Sequence, residues 1–302
     1  METNPKISVV IPVHNRESEL KRAIHSVLNQ TEQGFEIHVI DDASVINIKA
    51  IVEEFNDARI IFHRVEKKSN ANVCRNIGIK AAKANYIAML DSDDEWMENH
   101  LAVKINWLEI NKADGVFGSH YINDGQSTRK IISRPFKENE KMIDYLLSDG
   151  SAVTPSQVYK TSRAMDIMWD EELNRHQDLD FSVRFANKYS FIPSFDPSCI
   201  VHWKKGEKRL EDFSSQMKFI DKNKKDISPV VYMYYHRIMY SKIVKREDIS
   251  SDIKLHYQNE SLKFMKLISF TDYVISKDGV NAGLVKKIAL RFGFACKVIF
   301  RN

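Results

Sequence analysis

Four acidic residues, Asp91, Asp93, Asp94 and Glu95, fall within five positions directly after the apolar run YIAML of residues 86–90. Carboxylates one residue apart suit a divalent cation held by few protein ligands, Mg2+ or Mn2+, whose open coordination positions take phosphate oxygens. A turn decorated with acidic caps is the other reading of the same residues. A calcium loop is disfavoured, because Trp96 and Ala102 stand where the sixth-position Gly and twelfth-position Glu would be. A second acidic pair, Asp41-Asp42, has different chemistry to offer. A carboxylate only accepts hydrogen bonds, so it can receive the ring N–H of a uracil or a ribose hydroxyl. The chain contains neither a Walker pattern nor G-x-G-x-x-G, so phosphate would be neutralised mainly by metal.

The elements that must position these groups read as alternating strands and helices. ISVVIP (7–12) is a buried strand ended by Pro12, and residues 17–30 form a helix with Leu20, Ala23, Ile24, Val27 and Leu28 on one stripe. FEIHVI (35–40), RIIFHR (59–64) and YIAML (86–90) continue as strands, and IKAIVEEF (48–55) and VCRNIGIKAAK (73–83) as helices. This order predicts an α/β fold with a mixed, mainly parallel sheet and helices on both faces. In such folds ligands sit beyond the carboxyl ends of the strands. Pro12-Val13-His14-Asn15, Asp41-Asp42-Ala43-Ser44 and Asp91-Ser92-Asp93-Asp94 all follow strands, so they are expected to converge on one edge. Random turn decoration gives no reason for that convergence.

Farther along, the pattern predicts a helix over 101–110, a strand over 116–121, a helix over 142–147, a strand over 157–160 and a helix over 178–187. Residues 1–205 are assigned to one catalytic domain, and 206–302, poor in Gly and Pro, to a helical C-terminal region.

The composition narrows the function classes. A formal net charge of +4 lacks the dense basic stripes of a nucleic-acid binder, so no nucleic-acid partner is expected. Cys74, Cys199 and Cys296 are odd in number and lack zinc or disulfide spacing. With no signal-peptide pattern and no apolar window long enough to span a bilayer, a cytoplasmic location is expected. Residues 280–302 hold five basic and no acidic residues among Leu, Ile, Phe and Val. They read as an amphipathic cationic segment for an anionic membrane, which would place the protein peripherally on the inner face of the cytoplasmic membrane.

The segments ISVVIPVHNRESELKRAIHSVLNQ, VIDDAS, CRNIGIKAAKANYIAMLDSDDEW and HQDLDFSVRFA, in this order over residues 6–205, resemble the family 2 glycosyltransferases. The resemblance implies a GT-A fold (Rossmann-like, nucleotide-diphospho-sugar transferase), an inverting reaction and a UDP-sugar donor. It also implies a saccharide or lipid-linked saccharide acceptor in surface polysaccharide assembly. By it, Pro12, His14, Asn15, Asp41, Asp42, Arg75, Asp91 and Ser92 line the nucleotide-sugar pocket. Asp91 and Asp93 form the D-x-D segment, with Asp93 the direct ligand of Mn2+ or Mg2+ and His202 a candidate third ligand. Asp178 matches the catalytic base. The family's Glu-Asp pair is Gln177-Asp178 here, and its Gly before Arg-Asn is Asn70, a residue that tolerates left-handed backbone.

Several assignments keep a structural alternative. Asp178 also suits a helix N-terminus, with Asp180 the competing carboxylate. Arg75 has a carboxylate partner as its alternative, His202 a structural role, and Trp96 stands between acceptor platform and core. Cys74 reads as a small buried hydrophobe. Two other functions share parts of the pattern: a metal-dependent nucleotidyltransferase, which would want a Gly-rich basic loop that VHNRESE does not supply, and a non-catalytic nucleotide-sugar-binding assembly subunit, hinted at by Gln177.

Overall fold

A computed structural model describes residues 5–148, 150–203 and 212–263. The cationic segment 280–302 and Cys296 lie outside the described residues. The chain divides into two compact units at Lys222/Asn223. In the first, the elements run β1 (Ile7–Val13), α1 (Ser18–Leu28), β2 (Phe35–Asp41), α2 (Ile48–Glu53), β3 (Ile60–Arg64), α3 (Ala71–Ala81), β4 (Tyr86–Met89), β5 (Glu95–Trp96) and α4 (His100–Ile110). They continue as β6 (Gly115–Gly118), β7 (His120–Asn123), β8 (Thr128–Ile131), α5 (Met142–Ser148), β9 (Val158–Lys160), α6 (Thr161–Ile167), α7 (Gln177–Ala186), β10 (Phe191–Ser194), β11 (Cys199–His202) and α8 (Phe213–Asn223). The second unit contains α9 (Pro229–Ile243) and a helix over 251–263.

A seven-stranded sheet has the order β10-β6-β9-β4-β1-β2-β3, parallel except for β9, which runs against both neighbours. The chain winds from β1 through β2 and β3 to one side, then crosses to β4 on the other side of β1. The switch point therefore lies between the carboxyl ends of β1 and β4. β1 is buried along its whole length and, as expected, presents an apolar face to Leu20, Ala23, Ile24 and Val27 of α1. On the other face α3 packs so tightly that a Cβ at Gly78 would sit 2.4 Å from Val10 Cγ1. This is a contact only glycine permits.

Three expectations need correction. Pro12 does not end β1: it pairs with Ile40, and Val13 is the last strand residue. Pairing with β4 has already stopped at Val10↔Met89, so a residue without an N–H is tolerated there. Asn70 is extended, with φ −155°, and its side chain caps α3 by accepting from Asn72 N (2.9 Å) and Val73 N (3.1 Å). The single strand expected over 116–121 is two strands in different sheets. It breaks at Ser119, where Gly118 packs so close to Ser194 that a Cβ would lie 2.1 Å from its hydroxyl. β7 then enters a four-stranded sheet, β5-β11-β7-β8, whose first strand begins at Glu95, the last residue of the acidic run.

Candidate functional site

The loops after β1 and β2 lock onto each other. His14 Nδ1 lies 2.8 Å from the Asp42 carbonyl, Asn15 N–H donates to Ser44 Oγ at 2.9 Å, and Val45 N–H donates to Asn15 Oδ1 at 2.7 Å. Asn15 and Ala43 hold φ of 51° and 52°, and His176, just before α7, holds 57°. For a residue such as Ala43 that left-handed conformation costs about 1–2 kcal/mol. Strain of this kind concentrates in loops that face ligands.

The two carboxylates of this corner are used differently. Asp41 is fully buried, accepting from Ser44 N at 3.0 Å and from Arg64, so it shapes the loop. Asp42 accepts from Ser69 N and Ser69 Oγ, both at 2.7 Å, and pairs with Lys68. Burial pushes the Asp42 carboxyl up, but the donors of Lys68 and Ser69 outweigh it and hold the group below the usual range.

At the end of β4, Asp91 and Asp93 are half-buried. Arg75 of α3 donates to Asp91 Oδ1 at 2.6 Å, and Arg16 pairs with Asp93 Oδ1 at 2.9 Å. Arg16 also reaches Ser92 Oγ at 3.4 Å, and Arg22 of α1 donates to the Asp93 carbonyl. Asp94 turns inward and accepts His202 N–H at 2.8 Å. Burial, then the charges of Asp91 and Asp93, push its carboxyl well up. The acidic run is thus a place of concentrated negative charge met by three arginines, Arg75, Arg16 and Arg22.

Arg75 links this cluster to α7. Its guanidinium donates to Gln177 Oε1 at 3.2 Å and Asn72 Oδ1 at 3.1 Å and lies 4.5 Å from the centre of the Trp169 ring. Gln177 in turn donates from Nε2 to the Leu173 carbonyl at 2.9 Å. A glutamate could accept from Arg75 but could not make that second bond. Asp178 follows, half-buried, with Oδ1 accepting from Leu179 N at 3.0 Å. Burial raises its carboxyl, Leu179 N–H and Arg75 oppose the rise, and Asp91 adds to it. Asp180 is fully engaged by Arg184 Nε at 2.7 Å and Lys222 Nζ at 3.0 Å. Asp180 is thus tied into two ion pairs, whereas Asp178 accepts from a backbone N–H.

The remaining residues separate into core and rim. Trp96 is 4% exposed, stacks on His100 and donates to the Pro155 carbonyl at 2.7 Å, so it is core. Cys74 is fully buried, which pushes its thiol up to about 12. His202 Nε2 faces Glu95 Oε1 at 2.9 Å. Among the described residues, no three His, Cys, Asp or Glu side chains gather as a metal cage. Sequence reasoning missed Arg16, Arg22, Arg64 and Lys68 as partners of the acidic clusters. Arg16 carried a signal, standing directly after His14-Asn15 at the end of the first strand.

A family profile described as glycosyl transferase family 2 matches residues 8–174. The uncharacterized glycosyltransferase MJ1057 of Methanocaldococcus jannaschii is 33% identical over 194 residues, 62% of this chain and 67% of that protein. The putative colanic acid biosynthesis glycosyl transferase WcaA of Escherichia coli is 28% identical over 233 residues, 74% of this chain and 83% of that one. The E. coli UDP-Glc:alpha-D-GlcNAc-diphosphoundecaprenol beta-1,3-glucosyltransferase WfgD is 36% identical over 128 residues, 42% of this chain and 51% of that one. Among solved structures, S. aureus TarS 1–349 in complex with UDP-GlcNAc superimposes with a TM-score of 0.57 at 20% identity, covering 86% of this chain and 71% of that one. The mannosyltransferase PcManGT from Pyrobaculum calidifontis, in complex with GDP-Man and Mn2+, gives 0.52 at 12% identity, covering 99% and 84%. The likeness to these two structures is one of fold.

Proposed function

The chain belongs to glycosyl transferase family 2 and has the GT-A fold, and from that premise we propose that it moves a sugar from a nucleotide donor, a UDP-sugar, to a saccharide or lipid-linked saccharide in surface polysaccharide biosynthesis. The carrying observation is the link through Arg75, which joins Asp91 of the acidic motif to the start of α7, where Asp178 stands. The relatives' names support the substrate classes: WcaA's names colanic acid biosynthesis, and WfgD's a UDP-glucose donor and a lipid-diphosphate-linked acceptor.

The reaction proposed is inverting. The acceptor hydroxyl oxygen attacks the anomeric carbon, its proton passes to Asp178, and the bond to the nucleoside diphosphate breaks with its electron pair leaving on the phosphate oxygen. The carboxyl of Asp178, raised by burial, is a stronger base than a solvated aspartate. His14, Asn15 and Asp42 form the nucleotide side of the pocket, with Pro12 in its wall. Asp41 acts one step back, holding the Ser44 loop. The donor set of Asp91 and Asp93, two half-buried hard oxygen ligands one residue apart, fits Mn2+ or Mg2+. Such an ion supplies positive charge to the departing diphosphate.

Calorimetric titration of UDP with Mn2+ and then with EDTA, repeated on Asp93→Ala, tests the reading. Metal-dependent binding that the variant loses is expected; binding indifferent to both changes removes the metal from the account. The reading of a non-catalytic subunit stands on Gln177 alone, and donor turnover by pure protein eliminates it. No helix among the described residues is long and apolar enough to cross a membrane. Attachment through residues 280–302 is part of the proposal: deleting them should release the protein from anionic liposomes, and unchanged binding removes that part.

A further inference from the structure

The segment that leads into α7 is docked on α3 by side-chain amides. Asn70 Nδ2 donates to the Glu171 carbonyl at 2.8 Å, and Asn76 Nδ2 to that of Trp169 at 2.9 Å. Asn72 Nδ2 donates to the carbonyls of Asp170 at 2.6 Å and Leu173 at 3.1 Å. Two amides then close a ring around Arg75. One of its guanidinium nitrogens, Nη1, donates to Asn72 Oδ1 at 3.1 Å and to Gln177 Oε1 at 3.2 Å. Opposite it, the Leu173 carbonyl accepts from Asn72 Nδ2 at 3.1 Å and from Gln177 Nε2 at 2.9 Å. Each amide turns its oxygen to the same cation and its nitrogen to the same carbonyl, so both hydrogens of Nη1 and both lone pairs of Leu173 O are used.

The ring is neutral apart from the guanidinium. Arg75 is 4% exposed, and the carboxylate that takes a hydrogen bond from it is Asp91, through Nη2. A carboxylate in place of either amide would still accept from Nη1. It would also turn an oxygen toward the Leu173 carbonyl and share the cation with Asp91. Gln177 is the residue before Asp178 and opens α7 directly after the left-handed His176. What happens at its side chain therefore bears on where Asp178 stands.

We propose that Gln177, with Asn72, is a positioning residue for the transfer: the ring sets the start of α7, and with it Asp178, against Arg75 without neutralising the guanidinium. This rests on the glycosyltransferase reading above and reverses the sense of Gln177 as the mark of a non-catalytic subunit. Glutamate, the residue of the family pair, is then unsuited to this chain. Asp178 is faced by Arg75 of α3, by Asp91 after β4 and by Tyr159 of β9, while Asp180 on its own helix is paired with Arg184 and Lys222. A carboxylate at position 177 adds to the effect of Asp91 and draws on the charge of Arg75, and both changes raise the Asp178 carboxyl.

The test follows UDP release from UDP-glucose and from UDP-N-acetylglucosamine by the whole protein with Mn2+, water standing in for the acceptor hydroxyl, across about pH 4 to 9. Calorimetry with UDP and thermal melting are run beside it. Gln177→Glu should lower kcat near pH 7 by about tenfold or more and move the acid limb of kcat/KM up by about half a pH unit or more, with UDP affinity within about threefold. Gln177→Met fills similar space with neither bond nor charge. It should lower kcat by a similar factor, leave the donor KM within about threefold and leave the limb within about 0.2 unit. Wild-type kcat in folded Gln177→Met, or an unmoved limb in folded Gln177→Glu, overturns the assignment alone, because a mere loop anchor would change the melting temperature and nothing else. If Gln177→Glu does not fold, kcat of Gln177→Met decides. Failure of the wild type to bind UDP, or to release it from either donor, overturns the underlying reading and the assignment with it.

Discussion

Arg75 donates to Asp91 Oδ1 across 2.6 Å while stacking 4.5 Å from the centre of the Trp169 ring. One buried side chain of α3 thus holds the acidic motif from a platform supplied by the segment before α7. The planar fork serves Asp91, Asn72 and Gln177 together. A lysine ammonium cannot serve three separated acceptors and stack as well. Arg75→Lys should therefore lower kcat/KM by about 10-fold or more, a loss of about 1.4 kcal/mol in the transition state. Steady-state kinetics on donor and acceptor checks it, and wild-type rates would reduce Arg75 to a bulk charge.

Asp178 should carry both a rate and a stability signature. Asp178→Asn is expected to lower transfer by about 10²–10⁴-fold while UDP affinity stays within a few-fold. Because burial and then Asp91 raise the folded carboxyl against Leu179 N–H and Arg75, the acid limb of kcat/KM should lie above the ordinary aspartate value of about 4. The sign for stability follows from the same rise. The protonated form favours the fold, so the stabilising contribution is present below the unfolded pKa and is lost as pH rises through the folded one. At pH 7 Asp178→Asn should then melt a few degrees higher than the wild type, and near pH 3.5 the two should converge. Calorimetry at the two pH values decides, and an equal or lower melting point at pH 7 refutes the assignment.

Arg16 competes with any cation for Asp93, which it meets at 2.9 Å. Removing it by Arg16→Ala should tighten Mn2+ binding in the absence of nucleotide by about 3- to 10-fold, as the loss of a half-exposed ion pair allows. Mn2+ titration followed by electron paramagnetic resonance reads this directly. Weaker binding would mean that Arg16 orients Asp93 for the metal.

The first strands and helices of the chain were legible because their apolar residues repeat at strand or helix spacing and their ends carry Asn or Asp. α1 and β2 came out within a residue or two of their observed bounds. The four-stranded sheet was not legible. β5 is the dipeptide Glu95-Trp96, β11 is four residues long, and β8 alternates nothing buried. Periodicity has no purchase on segments so short. In the site, residue types announced the acidic clusters, but their partners come from far along the chain: Lys68 to Asp42, Arg16 to Asp93, Arg75 to Gln177. Only the folded sheet brings them together. Trp96 and Trp203 show the same limit, since burial of one and exposure of the other depend on which strand edge each follows.

Gly78 gives a prediction about the scaffold. Its missing Cβ would meet Val10 Cγ1 at 2.4 Å and Cγ2 at 2.7 Å. Gly78→Ala should destabilise the first unit by about 1–3 kcal/mol through overpacking, although alanine is the better helix former. Adding Val10→Ala should recover part of the loss. Urea denaturation of the single and double variants measures it, and a neutral single variant would mean that α3 can slide on the sheet.

β9 sits between β4 and β6 and runs against both, so the halves of the large sheet meet only through Val158–Lys160. A ribosome completes β1 to β4 first. The outer edge of β4, with Ile87, Ala88 and Met89, then waits for about 70 more residues, or roughly 4–14 s at ordinary rates of synthesis. Throughout that interval the nascent chain presents an apolar strand edge that any neighbouring strand could pair with. Yield in a cell, more than the stability of the finished protein, should therefore depend on what shields that edge during translation.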